Sequence, residues 1–141
     1  MVNFWAYETV PSHFRERNLY RHNSNVTLMR TTAEEAAKIG RFIVGKLNRM
    51  EGPVRFLIPE GGTSDLDKPG GPFWDPVVDQ ALFKEIKNNF RATKERKLVS
   101  LPNHINDQAF ADALVSSFNE ISIQKNSSGE AAWAASLAKT S

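Results

Sequence analysis

Four short runs of almost uninterrupted apolar residues constrain this chain more than any other feature: Met1–Phe4, Val26–Met29, Val54–Ile58 and Leu98–Leu101. A strand with one wet face alternates apolar and polar residues, whereas runs like these suit strands covered on both faces. Segments of helical period lie between them. The order predicts an α/β domain of three-layer Rossmann or flavodoxin-like type, with a mostly parallel four-stranded sheet and helices on both faces. The crossovers of such a sheet are right-handed.

The clearest helix starts at Thr32. Thr32-Ala33-Glu34-Glu35 reads as a capping box, in which hydroxyl and carboxylate satisfy exposed backbone N–H groups reciprocally. Ala36, Ile39, Ile43 and Leu47 then recur on one face, and Gly52-Pro53 ends the run. Asp75-Pro76 opens a second helix, because aspartate caps well and proline suits the first turn. Its expected buried stripe is Val78, Leu82, Ile86 and Phe90. A third helix follows Asn106-Asp107, with Phe110, Leu114 and Phe118 at a spacing of four. Ser12–Tyr20 reads as a weaker helix or turn.

Composition narrows the class. At 141 residues, 40% hydrophobic and 24% charged, the chain has the profile of one soluble globular domain. A net charge of +2 is too small for the dense basic face of a nucleic-acid binder. No cysteine is present, which excludes disulfides and thiolate metal sites. No apolar run approaches the length of a membrane span, and "MVNFWAYETVP" does not read as a signal peptide. A cytoplasmic location is the expectation. Residues 1–123 are read as the single α/β domain and 124–141 as a polar tail. That tail has room for a short helix around 131–137, anchored by Trp133. A strand that begins at residue 1 suggests that a partner chain or preceding sequence completes the sheet.

In a parallel sheet, strand-to-helix loops emerge at one carboxyl edge, where open α/β sheets bind ligands. Three such loops are polar: Arg30-Thr31-Thr32, Glu60–Asp75, and Asn103-His104-Ile105-Asn106-Asp107. Glu60-Gly61-Gly62-Thr63-Ser64 could form an anion-binding concavity from its backbone N–H groups, though no P-loop lysine follows it. Asp65 and Asp67 have the wrong charge for phosphate. Pro69-Gly70-Gly71-Pro72-Phe73-Trp74 is either an Ω-loop packing its own aromatics or a cover over a ligand. His104 beside Asn106 and Asp107 resembles half of an acid–base pair, or else a helix-capping turn. Ser64 lies outside any nucleophile elbow. His13 and His22 lack zinc-site spacing, so no metal site is expected. The basic run "RATKERK", Arg91–Lys97, falls at the opposite edge as a solvated connection.

Taken together, "MVNFWAYETVP", "HNSNVTLMRTT", "PEGGTSDLDKPGGPFWDP" and "HINDQAFADAL" resemble, in this order, the carboxyl-terminal domain of an uncharacterised bacterial, plant and fungal family. That family includes the tomato mosaic virus resistance protein, whose amino-terminal region is described as ATP-binding. The resemblance covers about residues 1–121. It implies longer proteins with two α/β domains, of which this chain matches the latter part of the second. It also places the family's polar loops on Arg30, Thr31, Gly61, Gly62, Ser64, Asp67, Gly70, Gly71, His104, Asn106 and Asp107.

Three functional readings follow. The first is a ligand- or nucleotide-binding module that associates with itself or with a missing amino-terminal domain. It takes a small anionic ligand and involves neither membrane nor nucleic acid, with ATP implied as cofactor only by the full-length family. The second is a small-molecule enzyme with His104 as base, Asp67 as metal or substrate ligand and Gly61–Ser64 as anion clamp. The third is a protein-interaction module docking through Phe73 and Trp74 of the 60–75 loop.

Overall fold

A computed structural model describes the backbone of residues 1–137 and the side chains of residues 1–123. The elements run β1 (Val2–Phe4), β2 (Leu19–Asn23), β3 (Val26–Met29), α1 (Ala33–Leu47), β4 (Val54–Pro59), α2 (Pro76–Asn89), β5 (Arg96–Leu101) and α3 (Gln108–Leu137). Single 3-10 turns at Tyr7–Thr9 and Ser12–Phe14 link β1 to β2.

The architecture is mixed α/β, but the strands do not form one parallel sheet of four. Among the described residues, β1, β3 and β2 make a three-stranded antiparallel sheet in that order, and β4 pairs with β5 in a separate parallel sheet. Part of the reason is β2, an unexpected strand that overlaps the expected Ser12–Tyr20 helix or turn only at Leu19 and Tyr20, while a 3-10 turn occupies Ser12–Phe14. Ser24 and Asn25 leave only a tight reversal between β2 and β3, and the Asn25 N–H donates to Asn23 Oδ1 to close it. A connection so short permits only antiparallel pairing. β1 joins the other side of β3, with Val2 opposite Met29. The parallel pair obeys the opposite constraint, since α2 supplies the long crossover that it needs.

α1 begins as the sequence dictates. Glu35 N–H donates to Thr32 Oγ1 at 3.2 Å, and Thr32 N–H donates to Glu35 Oε2 at 2.8 Å. Arg17 grips the same carboxylate at 2.7 Å, tying the approach to β2 to the helix start. α1 buries Ala36, Gly40 and Val44, leaving Ile39 42% exposed. Gly40 is required by close approach, because a Cβ there would lie 2.7 Å from the Leu82 carbonyl oxygen of α2. α2 is capped by Asp75, whose carboxylate accepts from the N–H groups of Val77 and Val78. The core below these helices centres on Ile58, Phe83 and Ile86, with Ile43, Phe56, Leu82 and Leu98 against it.

α3 departs from its expected stripe. Phe110 is buried, but Leu114 and Phe118 are 45% and 64% exposed. The helix is held to β4 partly through Arg55, whose Nε and Nη2 donate to the two Glu120 oxygens at 2.9 Å each. The helical backbone continues past residue 123 to Leu137 without a break. The Trp133 side chain and residues 138–141 lie outside the described residues.

Candidate functional site

The carboxyl end of β3 and the loop after β4 meet even though their strands belong to different sheets. Arg30, the residue after β3, is 7% exposed and donates from Nη2 alone to three acceptors. These are Asp79 Oδ1 at 2.7 Å, Asp67 Oδ1 at 3.1 Å and the Asp75 carbonyl at 3.4 Å. Its Nε is buried without a protein partner. Asp67 is fully buried and also accepts from Thr63 Oγ1 at 2.7 Å and from the Thr63 N–H. Burial pushes the Asp79 carboxyl up to about 6, an effect that the hydrogen bond from Arg30 only partly offsets and that Asp67 reinforces.

Beside this cluster is a cavity of about 100 Å³. Arg30, Thr31, Thr63 and Asp79 supply its polar lining, and Ile39, Val78 and Leu82 are among its apolar lining residues. Thr31 is 8% exposed.

A second group of expected residues gathers nearby and serves a different end. Gly61 N–H donates to the Asn103 carbonyl, Gly62 N–H to the Pro59 carbonyl, and Ile105 N–H to the Gly62 carbonyl. The amides expected to clamp an anion are therefore turned onto protein acceptors. Gly62 has φ of +131°, and a Cβ there would lie 2.0 Å from the Asp67 carbonyl oxygen. Asn106 N–H donates to His104 Nδ1 at 3.1 Å, and His104 Nε2 lies 2.9 Å from the Ser64 carbonyl. An Nδ1 that accepts leaves the proton on Nε2, which donates to Ser64. Both ring nitrogens are thus engaged with backbone, and no free base faces a substrate. The Asp107 carboxylate reaches back to accept from the His104 N–H. The Ser64 hydroxyl is buried and unpartnered.

Gly70 and Gly71 close the Ω-shaped part of the 60–75 loop, which Phe73 N–H ties to the Leu66 carbonyl at 2.9 Å. Phe73 itself is 1% exposed and meets Tyr20 edge-on at 6.2 Å. The loop packs its own aromatic residue rather than offering it outward. Arg30 and Asp67, expected at one polar edge, are in direct contact, with Thr63 of the expected Gly61–Ser64 stretch bonded to Asp67 and with Asp79, which sequence analysis did not single out, on the same guanidinium. Asp79 carries a recognisable signal, as a carboxylate flanked by Val78, Leu82, Phe83 and Ile86 on the buried side of α2. Among the described residues, no three His, Asp or Glu side chains are arranged to hold a metal, and no helix is long and apolar enough to cross a membrane.

These features define a mixed α/β domain with an arginine-centred carboxylate cluster beside a small, half-polar cavity. Residues 1–122 match the Uncharacterised protein family (UPF0261) C-terminal domain, and the chain belongs to that family. A UPF0261 protein of Rhizobium meliloti is 55% identical over 121 residues, covering 86% of this chain and 30% of the relative. One from Mesorhizobium japonicum is 50% identical over 114 residues, covering 81% and 29%. The ToMV resistance protein Tm-1(GCR237) of Solanum lycopersicum is 43% identical over 122 residues, covering 86% of this chain and 16% of that protein. The chain thus spans less than a third of the length of these relatives.

Proposed function

We propose that this chain is the small-ligand-binding portion of a larger UPF0261 protein, with its site in the cavity at the carboxyl end of β3. One observation carries the reading: the cavity is lined by Arg30, a nine-tenths-buried cation whose Nε has no hydrogen-bond partner among the described residues. Buried polar groups are ordinarily satisfied, so a donor left open beside a cavity favours an external partner. Pockets that enclose drug-sized ligands usually hold roughly 300–1,000 Å³. A nucleotide is too large for this cavity and would need walls from elsewhere. The enzymatic reading through His104 and Asp67 has less support, because both side chains are already committed to protein partners.

The same reading includes association. A two-stranded parallel pair is a marginal unit, and parallel sheets are normally covered on both faces. Strands from the remaining part of the longer family members complete β4 and β5 into a three-layer Rossmann-like sheet in the cytoplasm.

The test is a nuclear magnetic resonance screen of the chain against small acids, amides and amines. Amide shifts clustered on Thr31, Thr63 and Asp79 are expected. Shifts that map elsewhere, or none with any compound, would contradict the site.

A further inference from the structure

The two strands of the parallel pair are not alike. β4 is buried at Val54, Leu57, Ile58 and Pro59, whereas β5 is exposed at Lys97 and Ser100. A parallel strand covered on both faces belongs inside a sheet, so β5 has the composition of a border and β4 that of an interior strand. Val54 N–H donates to the Glu95 carbonyl and Glu60 N–H to the Leu101 carbonyl. The even-numbered residues of β4 therefore direct their backbone groups to β5. Arg55 and Leu57 direct theirs to the other edge, where no strand lies among the described residues.

α3 is placed to cover a strand beyond that edge. Arg55 and Lys97 are register partners on β4 and β5, and both donate to Glu120 of α3. Glu120 thus lies over the strand pair. At about 100° per residue, Phe118 stands about 160° and Leu114 about 120° round the helix from Glu120, with Phe110 between them. Phe110 is buried, while Leu114 and Phe118 are exposed on the flank turned away from β5. A hollow of about 400 Å³, lined by Pro53, Phe118, Ile121 and Ser122, joins this flank to the residue before β4. An open strand edge beside an apolar overhang is a place where another strand adds.

The family supplies the occupant. Edge and overhang both fall within residues 1–122, the span that matches the family domain, and that span is less than a third of the length of the relatives described above. We propose that a strand from the part of the longer UPF0261 protein outside this span pairs with the outer edge of β4 and sets apolar side chains under Leu114 and Phe118. The inference rests on the association half of the proposed function and adds which edge is completed and what covers it. The strand accepts from the Arg55 and Leu57 N–H groups and donates to their carbonyls, and every second one of its side chains is apolar and faces α3.

The experiment compares hydrogen exchange, residue by residue, in the full chain and in the full-length Rhizobium meliloti relative. In the chain, the Arg55 and Leu57 amides are expected to exchange at least about a hundredfold faster than those of Phe56 and Ile58, which face β5. In the relative, the amides matching Arg55 and Leu57 are expected to be as slow as those matching Phe56 and Ile58. Phe118→Asp is expected to change the melting temperature of the chain by less than about 2 °C, whereas aspartate at the matching position lowers that of the relative by about 5 °C or more. Fast exchange at the outer edge of β4 in the relative, with protection instead at the amides matching Leu98 and Ser100 on the outer edge of β5, would overturn the choice of edge while leaving association in place. Fast exchange at both outer edges of the relative would overturn association as well. Protection of Arg55 and Leu57 that grows with concentration in the chain alone would make the occupant a second copy and overturn the proposal.

Discussion

Asp79 Oδ1 stands 2.7 Å from Arg30 Nη2, as the second carboxylate on a nitrogen that already donates to Asp67. One guanidinium therefore joins the end of β3, the loop after β4 and the first turns of α2. Removing either acid has a different consequence, because the two are satisfied differently.

Asp67→Ala strips Arg30 of one acceptor and leaves the Thr63 hydroxyl and N–H without theirs. Breaking a buried charge network from one side costs about 3–5 kcal/mol. Urea unfolding is expected to show a loss of that size, with an unchanged slope.

Asp79→Asn keeps an acceptor for Arg30 but removes a buried charge. The Asp79 carboxyl is raised from 3.8 to about 6 in the folded chain, so the parent gains stability as pH falls through about 6 toward 3.8. Above about 6 that gain is absent and burial of the ionised form is fully felt. The variant is expected to be about 1–3 kcal/mol more stable than the parent near pH 8, with the difference shrinking toward pH 4, as melting curves across this range would show.

Glu35 titrates in the other direction. The Arg17 hydrogen bond first, and then the Thr32 N–H, pull its carboxyl down to about 2. Its contribution is fully present above the ordinary value of 4.5 and disappears as pH falls through about 2. The side chain is 38% exposed, so solvent screening holds the cost of Glu35→Gln below about 1 kcal/mol near neutral pH. That cost is expected to vanish in melting curves taken toward pH 2.

Gly62→Ala places a methyl group 2.0 Å from the Asp67 carbonyl oxygen and 2.7 Å from His104 Cδ2, at a φ that side chains rarely adopt. The strain and overpacking together amount to about 2–4 kcal/mol. Amide exchange is expected to rise first at Ile105, whose N–H depends on the Gly62 carbonyl.

Local chemistry made much of this legible in the sequence. The Thr32–Glu35 capping box and the Asp75-Pro76 start need only neighbouring residues, and both form as read. β2 was hidden because its apolar content is confined to Leu19 and Tyr20, followed by Arg21, His22 and Asn23. Pairing with β3, rather than intrinsic pattern, makes it a strand. The parallel four-stranded sheet does not form, because β1 and β2 both run antiparallel to β3 and β4 pairs with β5 apart from them. On α3, a spacing of four between Phe110, Leu114 and Phe118 indicates a shared face but says nothing about what covers it. Arg30 and Asp67 were expected together at one edge of a parallel sheet, whereas they meet although β3 and β4 belong to different sheets. Asp79 was missed because, inside an apolar helical stripe, a carboxylate matters only when a distant partner such as Arg30 arrives.

The most direct measurement is a crystal structure of the chain soaked with a mixture of small acids, amides and amines. The account predicts an ordered small molecule in the cavity, in contact with Arg30 and Leu82. A cavity filled by the protein's own side chains, with Arg30 Nε bonded to one of them, would contradict it.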